Sequence, residues 1–275
     1  MKRKILFLTD LTNGEDEDLI IVKYLKNFFD IKVSYFYGIE KIEDNFDLII
    51  IRNTWPSENK RFMEYNKLKS DFLKRAKKKN LLVYNDLNAC ADRRGKDYLV
   101  ELFDKGYPVI PSFNSTKELG NLLNFENFLI KPKKGFSSIG IKEIEKSQIK
   151  NVKLNDELIQ PKLDFEYEIS FYFIDKTFLY CLIFEPSKSP EWPNPKLNNP
   201  DKYELNFAKK FARWNKMKSG ISRIDALKMK DGKLLLLEIE DDSPYFSLTE
   251  INENLRNKFL EKFRKSVERY ISRNA

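Results

Sequence analysis

The sequence predicts an α/β half followed by a mostly antiparallel α+β half. Three observations carry that expectation. Residues 1–88 alternate short apolar runs with helical spacings, the rhythm of a small parallel sheet covered by helices. From about Phe125 the runs become strand-like, with tight turns between several of them. No internal repeat or low-complexity linker interrupts the chain.

Taken in order, Lys4–Leu8 is a short apolar run closed by Asp10, which makes it a first strand. Residues 18–29 carry apolar side chains at helical spacing, and residues 31–36 and Leu48–Ile51 read as further strands. Over residues 61–78, Phe62, Tyr65, Leu68, Phe72 and Ala76 share one helical face, and residues 81–84 return as a strand. Residues 96–105 form a helix stopped by Gly106 and Pro108. Later strands are expected at residues 128–131, 158–161, 166–174, Thr177–Phe184, 222–229 and 233–240. A helix at 203–217 interrupts them, and an amphipathic helix at 253–273 closes the chain. Residues 185–199, rich in Pro, Ser and Asn, read as a loop over the site.

With 275 residues the chain can bury a real core, as one unit or as two to three small lobes. Apolar residues at 41% and aromatics at 14% exclude disorder as the default state. The longest apolar runs, residues 47–51 and 234–237, are too short to span a bilayer, and no signal peptide is expected. Two cysteines imply no disulfide framework, so a reducing cytoplasm is expected. The net charge of +8 comes from lysines spread along the chain beside abundant acids, which argues against a nucleic-acid partner. Histidine is absent. That removes Ser–His and Cys–His triads, histidine zinc sites and histidine acid–base catalysis together. Chemistry must then run on carboxylates, lysine, arginine, backbone amides and bound metal.

The most informative stretch is Arg223-Ile224-Asp225, then Asp231-Gly232, then Glu238-Ile239-Glu240. Asp-Gly between two apolar runs signals a hairpin with a two-residue type I′ turn. That turn makes Asp225 face Glu238 and Arg223 face Glu240, with all four side chains on one surface of the ladder. Facing Cβ atoms lie roughly 4.5–5.5 Å apart, and like charges there repel. Three carboxylates so close need cations. Arg223 supplies one charge, and a divalent metal supplies the rest; oxygen ligands without histidine or thiolate favour Mg²⁺. Asp225, Glu238 and Glu240 are therefore the candidate metal ligands. The opposing reading is a solvated hairpin tip, but the tip lies at Asp231–Gly232, five or more residues from the acids.

These residues resemble the ATP-grasp superfamily, whose members carry an Arg-x-Asp strand followed by Glu-x-Asn with two Mg²⁺ ions against the ATP phosphates. Glu240 stands where the family has Asn, keeping an oxygen ligand and adding a charge. Three further segments match in order. Asp92-Arg93-Arg94-Gly95-Lys96 before a helix, with Gly106 to Pro111 after it, resembles the first lysine motif and its exit. Lys131 after an apolar strand, then Lys134-Gly135-Phe136-Ser137-Ser138-Ile139-Gly140, resembles the second lysine and the flap over the phosphates. Glu157-Leu158-Ile159-Gln160 followed by Glu168 resembles the adenine hinge and the ribose-binding acid. The likeness covers about residues 85 to 250.

The resemblance implies an ATP-grasp fold with a Rossmann-like amino-terminal lobe (1–88), a small central lobe (89–160) and a carboxy-terminal antiparallel-sheet lobe (161–275) with the metal site. It implies an ADP-forming carboxylate–amine ligase using ATP and Mg²⁺ (or Mn²⁺) through an acyl phosphate. By it, Arg223 and Lys131 are catalytic, and Lys96, Lys131, Lys134, Ser137, Ser138, Gln160 and Glu168 hold the nucleotide. The segment Arg52-Asn53-Thr54-Trp55-Pro56 ends a strand, where ligands collect in open α/β sheets. It resembles the amino-terminal lobe of ATP-grasp amino-acid ligases, including the D-cycloserine ring-forming type, and makes Arg52, Asn53 and Thr54 candidate substrate contacts. Equally, Trp55 reads as core and Arg52 as a surface pair. Rival readings are a nucleotide-binding module without turnover and a nucleic-acid-binding protein. The carboxylate and amine, small-molecule or peptide, and the oligomeric state are not legible.

Overall fold

A computed structural model describes residues 2–9, 15–41, 45–54, 62–120, 124–135, 138–186 and 194–274. Ser137, Trp55, Pro56 and residues 187–193 of the expected loop at 185–199 lie outside the described residues.

The first sheet is parallel, in the order β2-β1-β3-β4, from β1 (Lys4–Leu8), β2 (Asp30–Ser34), β3 (Leu48–Ile51) and β4 (Val83–Tyr84). Its apolar runs are buried on both faces, as parallel strands require. Ile5, Phe7, Leu48 and Ile50 face a core shared with α1 (Glu15–Leu25) and α5 (Glu253–Asn274). Leu6, Leu8, Ile49 and Ile51 face Tyr65, Phe72 and Ala76 of α2 (Phe62–Lys78).

A second, antiparallel sheet has the order β6-β5-β7, from β5 (Asn127–Pro132), β6 (Lys142–Glu145) and β7 (Glu157–Pro161). The edge strand β6 was not expected. Its sequence Lys-Glu-Ile-Glu buries no residue, so it carries no apolar period to read. The third sheet is antiparallel, in the order β10-β9-β8-β11-β12. It comprises β8 (Tyr167–Ile174), β9 (Thr177–Phe184), β10 (Lys196–Asn198), β11 (Ile221–Lys228) and β12 (Leu234–Glu240). Strand β10 falls inside the segment expected to be loop.

Helices α3 (Asp97–Asp104) and α4 (Lys202–Trp214) cover one face of the third sheet through Tyr98, Leu99, Leu102, Phe207 and Phe211. The tyrosine-rich core on the other side, with Tyr172, Tyr180 and Phe246, is continuous with α5 and the first sheet. Among the described residues no helix is long and apolar enough to cross a membrane.

Candidate functional site

The hairpin β11–β12 pairs Asp225 with Glu238 and Arg223 with Glu240, as the sequence predicts, but by a different route. The turn is not the expected two-residue type I′. Gly232 donates its amide to the Met229 carbonyl at 2.8 Å and Met229 donates to the Lys233 carbonyl at 2.8 Å, so Lys230, Asp231 and Gly232 form a three-residue loop. Gly232 takes φ +83°, the conformation such a loop needs at its third residue. The ladder then runs Lys228–Leu234, Leu227–Leu235 and Ala226–Leu236 before shifting at Asp225. Leu237 is the extra residue of a β-bulge, and its insertion cancels the extra turn residue. The bulge also reverses the facing of β12: Leu234 and Leu236 enter the core beside Ile224 and Ala226, while Glu238 and Glu240 stay with Asp225.

On that face the ligand oxygens of Asp225, Glu238 and Glu240 lie within 4.8 Å of one another. Arg223 Nε donates to both Asp225 oxygens at 2.9 and 3.0 Å, and Nη2 spans Asp225 at 2.9 Å and Glu240 at 2.8 Å. Ser170 on neighbouring β8 donates to Asp225 at 2.7 Å. From the start of α3, Lys96 Nζ reaches Glu238 at 2.7 Å and Asp92 at 2.5 Å. Tyr98 donates to Asp92 at 2.8 Å and accepts the Ile239 amide at 2.7 Å, which fastens this corner to β12.

Burial pushes the Glu240 carboxyl up to about 8, with Arg223 pulling the other way and Glu238 and Asp225 adding to the rise. Burial also raises Asp225, and it lifts Asp92 to about 7. Glu238 differs. Burial opposes its charge, but Lys96, Lys131 and Arg223 outweigh it and hold the carboxyl down at about 2. For Arg223, burial is outweighed by Asp225 and Glu240, so its pKa rises. The set is thus short of positive charge at neutral pH. Three convergent carboxylates, with no nitrogen or sulfur ligand, fit a hard divalent cation such as Mg²⁺.

The cluster opens on a cavity of about 730 Å³. Lys96, Lys131, Lys134, Ser138, Glu168 and Arg223 line it along with Glu238 and Glu240. Lys131 is 9% exposed and has no hydrogen-bond or ion-pair partner among the described residues; burial lowers its pKa. Glu168 is pushed up to about 8 by burial and then by Asp225. Above them the glycine-rich turn approaches β5 closely. A Cβ on Gly140, at φ +80°, would meet the Pro132 ring at 2.9 Å.

Gln160 does not line the cavity among the described residues. Its Nε2 donates to Ser112 at 2.8 Å, while its Oε1 is buried without a partner among the described residues. Arg52, Asn53 and Thr54 do not line it either. Arg52 is a buried clamp, neither a surface pair nor a cavity wall. Its guanidinium donates to Glu17 at 2.5 Å, to Asp18 at 3.2 Å and to the Pro244 carbonyl, and it stacks 3.8 Å above the Phe246 ring. Thr54 shares a 2.8 Å hydrogen bond with Tyr65, and Asn53 Nδ2 is buried without a partner among the described residues. Glu17 completes the clamp by accepting the amides of Phe246 at 2.9 Å and Leu248 at 3.2 Å. Residues 243–248 therefore alternate: Phe246 and Leu248 are gripped from behind, while Ser243, Tyr245 and Ser247 face the cavity.

Sequence reasoning missed Glu17, Lys69, Arg93 and Asp242. Glu17 sits in the first turn of α1, where an acid suits the helix dipole anyway. Lys69 occupies an ordinary polar position of an amphipathic helix. Only Arg93 and Asp242 carried a signal, their adjacency to a motif.

No protein-family model and no curated protein matches the chain. Solved structures do. D-cycloserine synthetase DcsG is similar at TM-score 0.73 and 16% identity, over 99% of this chain and 100% of that one. The ATP-grasp ligase PsnB complexed with minimal precursor gives TM-score 0.70 and 13% identity, over 97% and 100%. D-alanine–D-alanine ligase from Bacillus anthracis complexed with ATP gives 0.64 and 12%, over 100% and 97%. At these identities the likeness is one of fold, and it extends end to end.

Proposed function

We propose that this chain, which has the ATP-grasp fold, is an ATP- and Mg²⁺-dependent ligase joining a carboxylate to an amine, with release of ADP. One observation carries the reading. Glu238, Glu240 and Arg223 on one hairpin face, backed by the buried Asp225, meet three lysines from two other elements around one cavity. Point charges on separate elements suit a polyphosphate, and convergent carboxylates suit its metal. The same cavity sits in a fold shared with ligases whose structures contain ATP, or Mg and ADP.

In this reading Asp225, Glu238 and Glu240 hold Mg²⁺ (Mn²⁺ serving equally), which supplies positive charge against the triphosphate. Lys96, Lys131 and Lys134, with Ser137 and Ser138 of the flap, hold the phosphates. Gln160 and Glu168 belong to the adenosine end, Gln160 through the extended backbone of β7. Arg223 neutralises Asp225 and Glu240, and with Lys131 it would offset charge on the transferred phosphoryl group. The substrate carboxylate takes that group as an acyl phosphate, and the amine displaces phosphate to give an amide. In this reading the chain divides into lobes at 1–88, 89–160 and 161–275. The substrates are small-molecule or peptide carboxylates and amines.

The test is ADP release from purified full-length protein, screened with pooled amino acids, peptides and small acids. Turnover that appears with Mg²⁺ or Mn²⁺ and vanishes with EDTA is the expected result. Nucleotide binding without ADP release in any pool would leave only a binding module.

A further inference from the structure

We infer that Glu17 is a positioning residue for Arg223, acting through the peptide unit that joins Tyr245 to Phe246. The catalytic role of Arg223 rests on the ligase reading; the linkage stands on its own geometry. Glu17 is fully buried and is not among the described residues that line the cavity, so it acts through a neighbour.

Arg223 commits Nε and Nη2 to Asp225 and Glu240. Its remaining nitrogen, Nη1, donates to the Tyr245 carbonyl at 3.2 Å. The next amide along the chain, that of Phe246, donates to both Glu17 oxygens at 3.0 and 2.9 Å. That carbonyl and that amide belong to one peptide unit, which is trans. A trans unit is planar and stiff, with its C=O and N–H directed to opposite sides. Glu17 and Arg223 therefore grip the two ends of a single plate. A rotation that takes the amide away from Glu17 also takes the carbonyl away from Arg223. The two bonds polarise the unit in the same sense, so each strengthens the other.

The flanking units are fixed from the same side. The Pro244 carbonyl accepts Arg52 Nη1, and the Leu248 amide donates to Glu17 Oε2 at 3.2 Å. Arg52 Nη2 adds a bond to Glu17 Oε1 at 2.5 Å, so the carboxylate serves an arginine and two amides. Such a set of donors suits the ionised acid, which only accepts. Burial pushes its carboxyl up to about 7, with Arg52 and the two amides pulling it down. Between the gripped amides Ser247 takes φ +54°, a left-handed conformation that residues with a Cβ seldom adopt. There it lets the amides on either side turn toward one anion, as backbone nests do.

The Tyr245 carbonyl matters because the other partners of Arg223 are metal-site acids. In a metal-loaded site Asp225 and Glu240 are shared, and the Tyr245 carbonyl is the neutral anchor left to the guanidinium. An acid on the first turn of the amino-terminal helix α1 thus reaches the hairpin across 206 residues, through one peptide plane.

Two measurements on the full chain at pH 8, well below the Tm, test the linkage. The first is the arginine Nε–H NMR spectrum without nucleotide, with the Arg223 signal assigned by its loss in Arg223→Lys. Glu17→Gln removes the charge, and Glu17→Asp keeps it but shortens the reach. Both should shift or broaden the Arg223 signal and leave that of Arg93, held by the carbonyls of Asn85 and Asp86, in place. The second is ADP release with the substrate pools of the ligase test. There kcat should fall at least fivefold in both variants, with Mg·ADP affinity within twofold of wild type, since ADP lacks the transferred phosphoryl group. In an Arg223→Lys background Glu17→Gln should add less than twofold. An unmoved Arg223 signal in either folded variant overturns the inference. So does an equal Glu17 effect on kcat with and without Arg223, the result of a merely structural staple. No ADP release by wild type would sink the ligase reading, and the NMR result would still decide the linkage.

Discussion

Lys96 Nζ lies 2.7 Å from Glu238 Oε2 across 142 residues of sequence, and it changes the energetics of the hairpin. Taken alone, Asp225 facing Glu238 is a repulsive pair. With Lys96 in place, Glu238 is the stabilised acid of the cluster, its carboxyl held at about 2, whereas Glu240 is held at about 8. The two glutamates should therefore respond differently to loss of charge. Glu238→Gln is expected to cost about 1–2 kcal/mol in the metal-free protein, the worth of a hydrogen bond to a charged group. Glu240→Gln should leave the Tm unchanged or raise it. Both should nearly abolish ADP formation. Thermal unfolding in EDTA beside turnover in Mg²⁺ decides, and a Tm loss in Glu240→Gln as large as in Glu238→Gln would refute the assignment of charges.

Lys131 is a buried cation without a partner among the described residues. Its desolvation opposes folding, so Lys131→Ala should leave thermal unfolding nearly unchanged or slightly improved. Losing a charged contact to a phosphate should weaken nucleotide binding about tenfold or more. Equilibrium binding of ATP to the variant checks this, and an unaltered Kd would remove Lys131 from the nucleotide site.

Arg52 makes the opposite forecast. Removing one member of a buried ion-pair network strands the others, here Glu17 and Asp18, at a cost of about 3–5 kcal/mol. Arg52→Met should therefore lower the Tm steeply. If the side chain were a substrate contact, activity would fall while the Tm held.

The bulge at Leu237 and the loop at Lys230 are also separable by deletion. Removing Lys230 leaves Met229 facing Lys233 across an Asp-Gly pair, the two-residue turn that suits hairpin twist, and disturbs no pair beyond it. Removing Leu237 closes the bulge and likewise leaves Ala226 facing Leu236, Asp225 facing Glu238 and Arg223 facing Glu240. Each deletion should keep the acid cluster and metal-dependent activity, as measured by ADP release and circular dichroism, and loss of activity in either folded variant would refute this register.

Much of the fold was legible because it rests on local patterns. Strands Lys4–Leu8, Leu48–Ile51 and Thr177–Phe184 match the expected bounds, since each is a run of apolar residues with polar neighbours at its ends. The facing of Asp225 with Glu238 was legible as well, though through two compensating departures. Turn length and bulge are decided by how β11 and β12 bury Leu234 and Leu236, and no local signal reports that burial.

The sequence by itself determined the chemistry available to this protein: no histidine, two acid-bearing strands joined by a turn, and lysines beside glycine-rich stretches. Residue type and short-range period are properties of neighbours in the chain, so they can be read there. Only the tertiary structure decided which charges meet. Lys96 joins Glu238, Arg52 closes on Glu17 and the Pro244 carbonyl, and Lys69 shares Asp242 with Arg93. Each of these contacts joins sequence-distant segments buried by the packing of separate sheets. A buried charge is defined by what surrounds it, and the chain order does not encode those surroundings.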